Sequence, residues 1–159
     1  MRIVRQDRRK QRRLWLLPGI VCLLSIAVAS IAMSNPTNFA ATRPDHSDLQ
    51  LRTRVYGVAA ADAVSAVREI IPRLRTYGRL WRMETSSIRR DTVVVTCEVP
   101  VLFFTDDLKV TVHAQGVHAQ VDVESRSRVG RGDFGENRRH IIQLLHALDA
   151  KLNERMVVG

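Results

Sequence analysis

The sequence predicts an α+β domain, an antiparallel sheet of about five strands in the order β-α-β-β-β-β-α with two helices on one face, preceded by one N-terminal transmembrane helix. Three observations predict it. Leu14 to Met33, LWLLPGIVCLLSIAVASIAM, carries no charged residue, and a helix of that length spans the ~30 Å hydrocarbon layer. The stretch from Thr92 to Glu124 alternates apolar and polar residues in valine-rich runs, the pattern of strands with one buried face. Segments beginning near Ala59 and Asp133 repeat apolar residues at helical spacing.

Residues 1–13, MRIVRQDRRKQRR, hold seven Arg and Lys against Asp7, a net +6, which leaves only +3 for the remaining 146 residues. A nucleic-acid binder carries its positive excess on the folded domain, so nucleic acid is not expected as a partner. A basic flank beside an uncharged span places the N-terminus in the cytoplasm and the later residues in the periplasm or another extracytoplasmic space. The alternative is secretion after signal cleavage, since Ala27-Val28-Ala29 and Ser30-Ile31-Ala32 offer small residues at cleavage spacing. The run exceeds the ~7–15 residues of a signal core, which favours a retained anchor. Residues 34–48, SNPTNFAATRPDHSD, lack periodicity and read as a linker, with the α+β domain over residues 49–155.

Within that domain the first strand is expected over Leu49–Val58. Ala60, Ala63, Val64, Val67, Ile71 and Leu74 then mark an amphipathic helix, disturbed by Pro72 and closed by Tyr77-Gly78. Leu80–Ser86 reads as the second strand. In the third, Val93, Val95, Cys97, Val99, Val101 and Phe103 share a face, and Pro100 requires a bulge or an edge. If Gln115-Gly116 is a two-residue loop, Val112 faces Ala119, Val110 faces Val121 and Leu108 faces Val123. The same register sets Lys109 against Asp122, Asp107 against Glu124 with Arg126 diagonal to it, and Asp106 against Ser125. The last helix is expected from Asp133 or Phe134 to Asn153, with Phe134, Ile141, Leu145, Leu148 and Leu152 on one stripe.

Gly130, Gly132 and Gly135 spell GxGxxG, but a dinucleotide fingerprint needs a further parallel strand with an acidic residue after the helix, so no dinucleotide is expected. Instead the glycines turn the chain, and Asp133 with Glu136 forms a capping-box pattern. The free N–H groups of such a helix start, beside Arg131, Arg138 and Arg139, suit an anion. Ser125 or Ser127 beside Asp106 suggests a hydrolase, although no histidine is placed to activate either serine; His140 and His146 do not share a helix face. No metal-ligand spacing and no cofactor motif is present. Cys22 and Cys97 cannot pair, and Cys97 reads as a buried thiol acting as a small hydrophobe.

The RTRVYGV start, the VPVLFFTDDLKV block and VDVESRSRVGRGDFGENRRHIIQLLHAL together resemble a bacterial and plastid family of unknown function, number fourteen ninety-nine. The resemblance covers Leu49 to Ala150. It implies no activity, but its signature coincides with Asp106, Asp107, Ser125, Arg126, Ser127, Arg128, Gly130, Asp133, Gly135, Asn137 and Arg138. An early cysteine of some members has no counterpart here. The expectation is therefore a membrane-anchored, non-enzymatic domain that binds an envelope protein or an anionic ligand through these residues. Two alternatives are a hydrolase using Ser125 or Ser127 with Asp106, and a purely structural envelope protein.

Overall fold

The computed structural model describes residues 18–23, 25, 26, 37–130 and 132–157, with side chains to residue 152. Its strands are β1 (Phe39–Ala41), β2 (Arg54–Tyr56), β3 (Arg75–Thr76), β4 (Arg79–Leu80), β5 (Arg82–Arg89), β6 (Thr92–Val101), β7 (Phe104–Gln115) and β8 (His118–Ser127). The α-helices packed with them are α1 (Ala60–Ile70) and α2 (Glu136–Val157). The fold is α+β, as expected, with more strands than expected. The large sheet runs β1-β8-β7-β6-β5, every named pair antiparallel, and β2 also pairs with β8; β3 and β4 form a separate hairpin.

Both helices cover one face. Val95, Cys97, Val99, Leu108, Val110, Val112, Ala119, Val121 and Val123 bury that face against Ala63, Val67 and Ile70 of α1 and Ile141, Leu144, Leu145, Leu148 and Leu152 of α2. Each large aliphatic side chain among them contributes about 1.5–3 kcal/mol of transfer free energy. Cys97 is wholly buried, and burial pushes its thiol up to about 12, as suits a small hydrophobe.

The largest departure is just ahead of residue 49. Residues 39–41, inside the stretch read as a linker, pair with Glu124–Arg126 as β1. Between β1 and β2, Thr42 N–H donates to the Val123 carbonyl and the Val123 N–H donates to Thr42 Oγ1, both at 2.9 Å. The edge of β8 is thereby satisfied along most of its length. The strand expected over Leu49–Val58 is instead a short 3-10 turn, Leu49–Leu51, followed by β2. Asp48 causes this, because its Oδ1 accepts the Gln50 N–H at 3.0 Å and so offers the backbone a turn instead of a ladder.

The β7–β8 register is two residues away from the expected one. Gln115 pairs with His118, Val112 with Val121, Val110 with Val123 and Asp106 with Ser127. The loop is Gly116-Val117, with Gly116 at φ 60°, the first loop position at which a II′ turn calls for glycine. Lys109 consequently meets Glu124, and Asp107 has Arg126 opposite instead of diagonal.

Other boundaries move for local reasons. The first helix ends at Ile70 and continues as a 3-10 turn through Pro72, while Tyr77-Gly78 forms the β3–β4 turn and the next strand runs Arg82–Arg89. Pro100 lies beyond the end of β5, whose pairing starts at Glu98, and the β6–β7 register is continuous through it; the irregularity is at Met83/Thr85 in β5. Phe103 does not share the core face. It sits in the two-residue Leu102-Phe103 turn, 90% exposed, with Leu102 at φ 30°. Phe134, expected on the buried stripe, is half exposed at φ 53° ahead of α2.

Residues 1–13 lie outside the described residues, as does most of the expected membrane span. Pro18–Leu23, Ser25 and Ile26 are helical, with Ile20, Val21, Leu23 and Ile26 exposed. Among the described residues no helix is long and apolar enough to cross a membrane.

Candidate functional site

The site forms at one end of the sheet, where the β6–β7 turn, the end of β8 and the start of α2 meet. Antiparallel pairing of Asp106 with Ser127 sets both on the helix-covered face, and a two-residue step sets Ser125 beside Leu108. Asn137, in the first turn of α2, faces them. Its side chain is fully buried and satisfied in a directed chain. Ser125 Oγ donates to Asn137 Oδ1 at 2.7 Å, Asn137 Nδ2 donates to Ser127 Oγ at 2.9 Å, and the Ser127 hydroxyl bonds the Asp106 carboxyl.

Asp133 holds the helix start. Its Oδ1 accepts the Gly135 N–H at 2.9 Å and its Oδ2 the Asn137 N–H at 2.8 Å, so cap groups open to an anion are already occupied. The reciprocal half of a capping box is not made by Glu136. That carboxylate accepts from Tyr77 Oη at 2.5 Å and pairs with Arg139. Gly130, at φ 91°, turns the chain between β8 and the cap, and its carbonyl accepts from Asn38 Nδ2 at 3.1 Å. Arg131 lies outside the described residues.

His140 is the residue that sequence reasoning missed. It is buried one turn below Glu136, edge-on to Trp81 with ring centroids 5.9 Å apart. Its Nδ1 lies 3.6 Å from Asp106 Oδ2 and its Nε2 lies 3.5 Å from Glu136 Oε2. Asp106 Oδ2 and both imidazole nitrogens are buried without a hydrogen-bond partner. Burial pushes His140 down to about 4, so the ring is neutral at pH 7. Burial, together with the charges of Asp133, Glu136 and Asp107, pushes Asp106 up to about 6 against the opposing Ser127 hydrogen bond. The available signal was the i, i+4 spacing of Glu136 and His140 on the face that carries Asn137 and Leu144.

Asp106 and Glu136, but not His140, form part of the wall of a pocket of about 300 Å³. Asp106, Ser127, Asp133 and Glu136 supply its polar part; Val101, Leu102, Phe104, Val129 and Phe134 make the remainder apolar. The expected site residues therefore divide. Asp106, Ser125, Ser127, Asp133 and Asn137 converge, with Gly130 at the pocket wall. Asp107 and Arg128 pair on the outer sheet face, where Arg128 also reaches Glu98 at 2.9 Å. Arg126 lies over the Phe39 ring at 5.1 Å, and Arg138 bonds Asp48 at 2.7 Å and Gln50 at 2.8 Å. These arginines tie the chain's start and the outer face to the sheet and do not enter the pocket. Ser127 meets a carboxylate and an amide, so its hydroxyl partner is not the imidazole that a serine nucleophile uses as base.

Residues 29–148 match a family described as a protein of unknown function, DUF1499. The chain belongs to that family. The match begins ahead of β1, in keeping with a folded unit that starts before residue 49, and it spans every residue of the pocket. Among solved structures, the crystal structure of TTHA0849 from Thermus thermophilus is similar at 8% identity and a TM-score of 0.30, covering 65% of this chain and 95% of that one. No curated protein matches the chain.

Proposed function

We propose that this DUF1499 chain is a single-pass membrane protein whose α+β domain lies outside the cytoplasm and binds, without transforming it, an apolar ligand with a hydrogen-bond-donating or cationic head. One observation carries the ligand reading: Asp106, whose buried Oδ2 has no hydrogen-bond partner, is one of the polar residues lining an otherwise apolar pocket. A buried acceptor left unmatched costs free energy that a donor would recover. Three carboxylates at the pocket and a capped helix start favour a donor or a cation over the anion first expected. The anchor reading rests on the uncharged run 14–33 beside the basic tail, and on the exposed apolar side chains of the helical residues within it.

Octylamine, octanol and octanoate test this by calorimetry on the full-length chain held in amphipol at pH 8. Octylamine is expected to bind at least tenfold more tightly than octanoate, and Asp106→Asn to remove that preference while octanol still binds. Equal binding of all three, or of none, would sink the ligand reading. The structural alternative makes the polar chain a lock between α2 and the sheet; it predicts that Asp106→Asn changes stability and leaves every affinity alone.

A further inference from the structure

The β6–β7 turn is anomalous for its position. Two-residue hairpin loops are built from Gly, Asn, Asp and other polar residues, and the β5–β6 turn at the opposite end of the sheet, Arg90-Asp91, follows that habit. Leu102-Phe103 does not. Phe103 is 90% exposed and Leu102 58% exposed, and Leu102 holds a positive φ that a branched side chain rarely adopts. Phe104, Val129 and Phe134, each at least half exposed, continue the apolar surface around the mouth of the pocket. None of these five side chains belongs to the buried core, and a contiguous exposed apolar rim marks a surface that meets something apolar.

The place where the chain joins the domain says what that is. Asn38 Nδ2 bonds the carbonyls of Ser127 and Gly130, at 3.4 and 3.1 Å, so the N-terminal segment is fixed to the pocket's own wall. Asn38 lies only five positions after Met33, the end of the expected membrane span, a reach of about 17 Å at full extension. With residues 14–33 as the anchor, the end of the sheet that carries the rim is the end held nearest the bilayer. The β3–β4 hairpin sits beside it. Exposed Tyr77 is at its tip, and the neighbouring Arg79 bonds the Leu102 carbonyl at 3.0 Å. Aromatic and basic side chains side by side are the pairing that lipid headgroups accept.

We propose that the rim of the pocket docks on the outer surface of the same bilayer that anchors the chain, with Phe103 inserted at the headgroup boundary. The proposal rests on the anchor reading given above, and the test separates the two.

Full-length protein carrying Cys22→Ser and Phe103→Cys is labelled with a nitroxide and reconstituted in protein-free vesicles of phosphatidylcholine and phosphatidylglycerol. Cys97 is buried and does not compete for the label. A second protein carries the label at Val117→Cys, an exposed residue in the turn at the far end of the sheet. Both substitutions are at exposed turn residues and leave the core unchanged. Oxygen and a water-soluble nickel chelate then report depth by power-saturation resonance. The expected result is a label at 103 several-fold less accessible to nickel than the label at 117, and more accessible to oxygen. Equal nickel access at the two positions, in chains that resist alkaline carbonate, overturns the docking and leaves the anchor standing. Release of the chain by carbonate overturns the anchor, and the docking with it. A label at 103 that is shielded only when other membrane proteins are present also overturns the proposal, in favour of a protein partner.

Discussion

At the scale of single residues, the buried polar cluster makes two opposed demands on pH. Asp106 is raised from 3.8 to about 6, so the folded state holds that proton more tightly than the unfolded chain does. Its contribution to stability is complete below 3.8 and is lost as pH rises to about 6. His140 is lowered from 6.5 to about 4, so the unfolded chain takes up its proton first. Its contribution is present above 6.5 and is lost as pH falls to about 4. The slopes oppose each other across one window, and the native protein is expected to show a nearly flat profile between pH 4 and 6.5. Asp106→Asn leaves the histidine alone, so stability falls on acidification. His140→Gln leaves the aspartate alone, so stability falls as pH rises from 4 to 6. Each change is on the order of 2–3 kcal/mol, and urea unfolding midpoints across the window measure it; parallel profiles for the three proteins would refute the assignment. Asn137→Ala is a separate case. It strands the buried Ser125 hydroxyl, removes a donor to Ser127 and is expected to cost about 2–4 kcal/mol, read from the same midpoints at constant pH. Asp106, Ser125 and Ser127 were legible as a group through strand alternation, and Asn137 joined them only through the family resemblance. His140 was not, because its role depends on Trp81 and the sheet packing above it, and neither is close in sequence.

At the scale of elements, the sequence separates what a two-residue period determines from what it leaves open. Both registers of β7 against β8 put Val110, Val112, Val121 and Val123 on the same face, since a shift of two residues preserves the alternation. Burial therefore could not choose between them, and the conformation of Gly116 does. Helix α2 was legible in its apolar stripe, while its start was displaced because Phe134 and Gly135 both take positive φ and cannot be helical. What remains of the expected capping box is its aspartate. Asp133→Ala removes acceptors for two backbone N–H groups and is expected to destabilise by about 1–2 kcal/mol. Hydrogen exchange at the Asn137 amide should accelerate in that variant while amides near Leu148 keep their protection, as a local fray requires. Uniform acceleration along α2 would show instead that the cap supports the whole fold.

At the scale of the whole molecule, β1 decides where the domain begins. Residues 39–41 were illegible as a strand because three residues carry no period, and the Pro and Asn around them read as linker. What makes them a strand is the open edge of β8, which needs partners that β2 supplies over only part of its length. Thr42 completes the join by giving the Val123 N–H an acceptor. A chain beginning at Thr37 is therefore expected to fold as the full domain does. One beginning at Asp48 loses β1, the Thr42 bonds and the Asn38 contacts to Ser127 and Gly130, and so exposes an unpaired strand edge beside the pocket. Its melting temperature should drop by several degrees, since about 2–3 kcal/mol moves the midpoint that far in a domain of this size, and it should self-associate at concentrations where the longer chain stays monomeric. Sedimentation velocity with thermal melts of the two truncations checks both outcomes. If the Asp48 chain matches the Thr37 chain in both, β1 contributes nothing to the fold. The pocket end would then be held to the N-terminal segment by sequence alone, without the geometric link on which its position near the membrane depends.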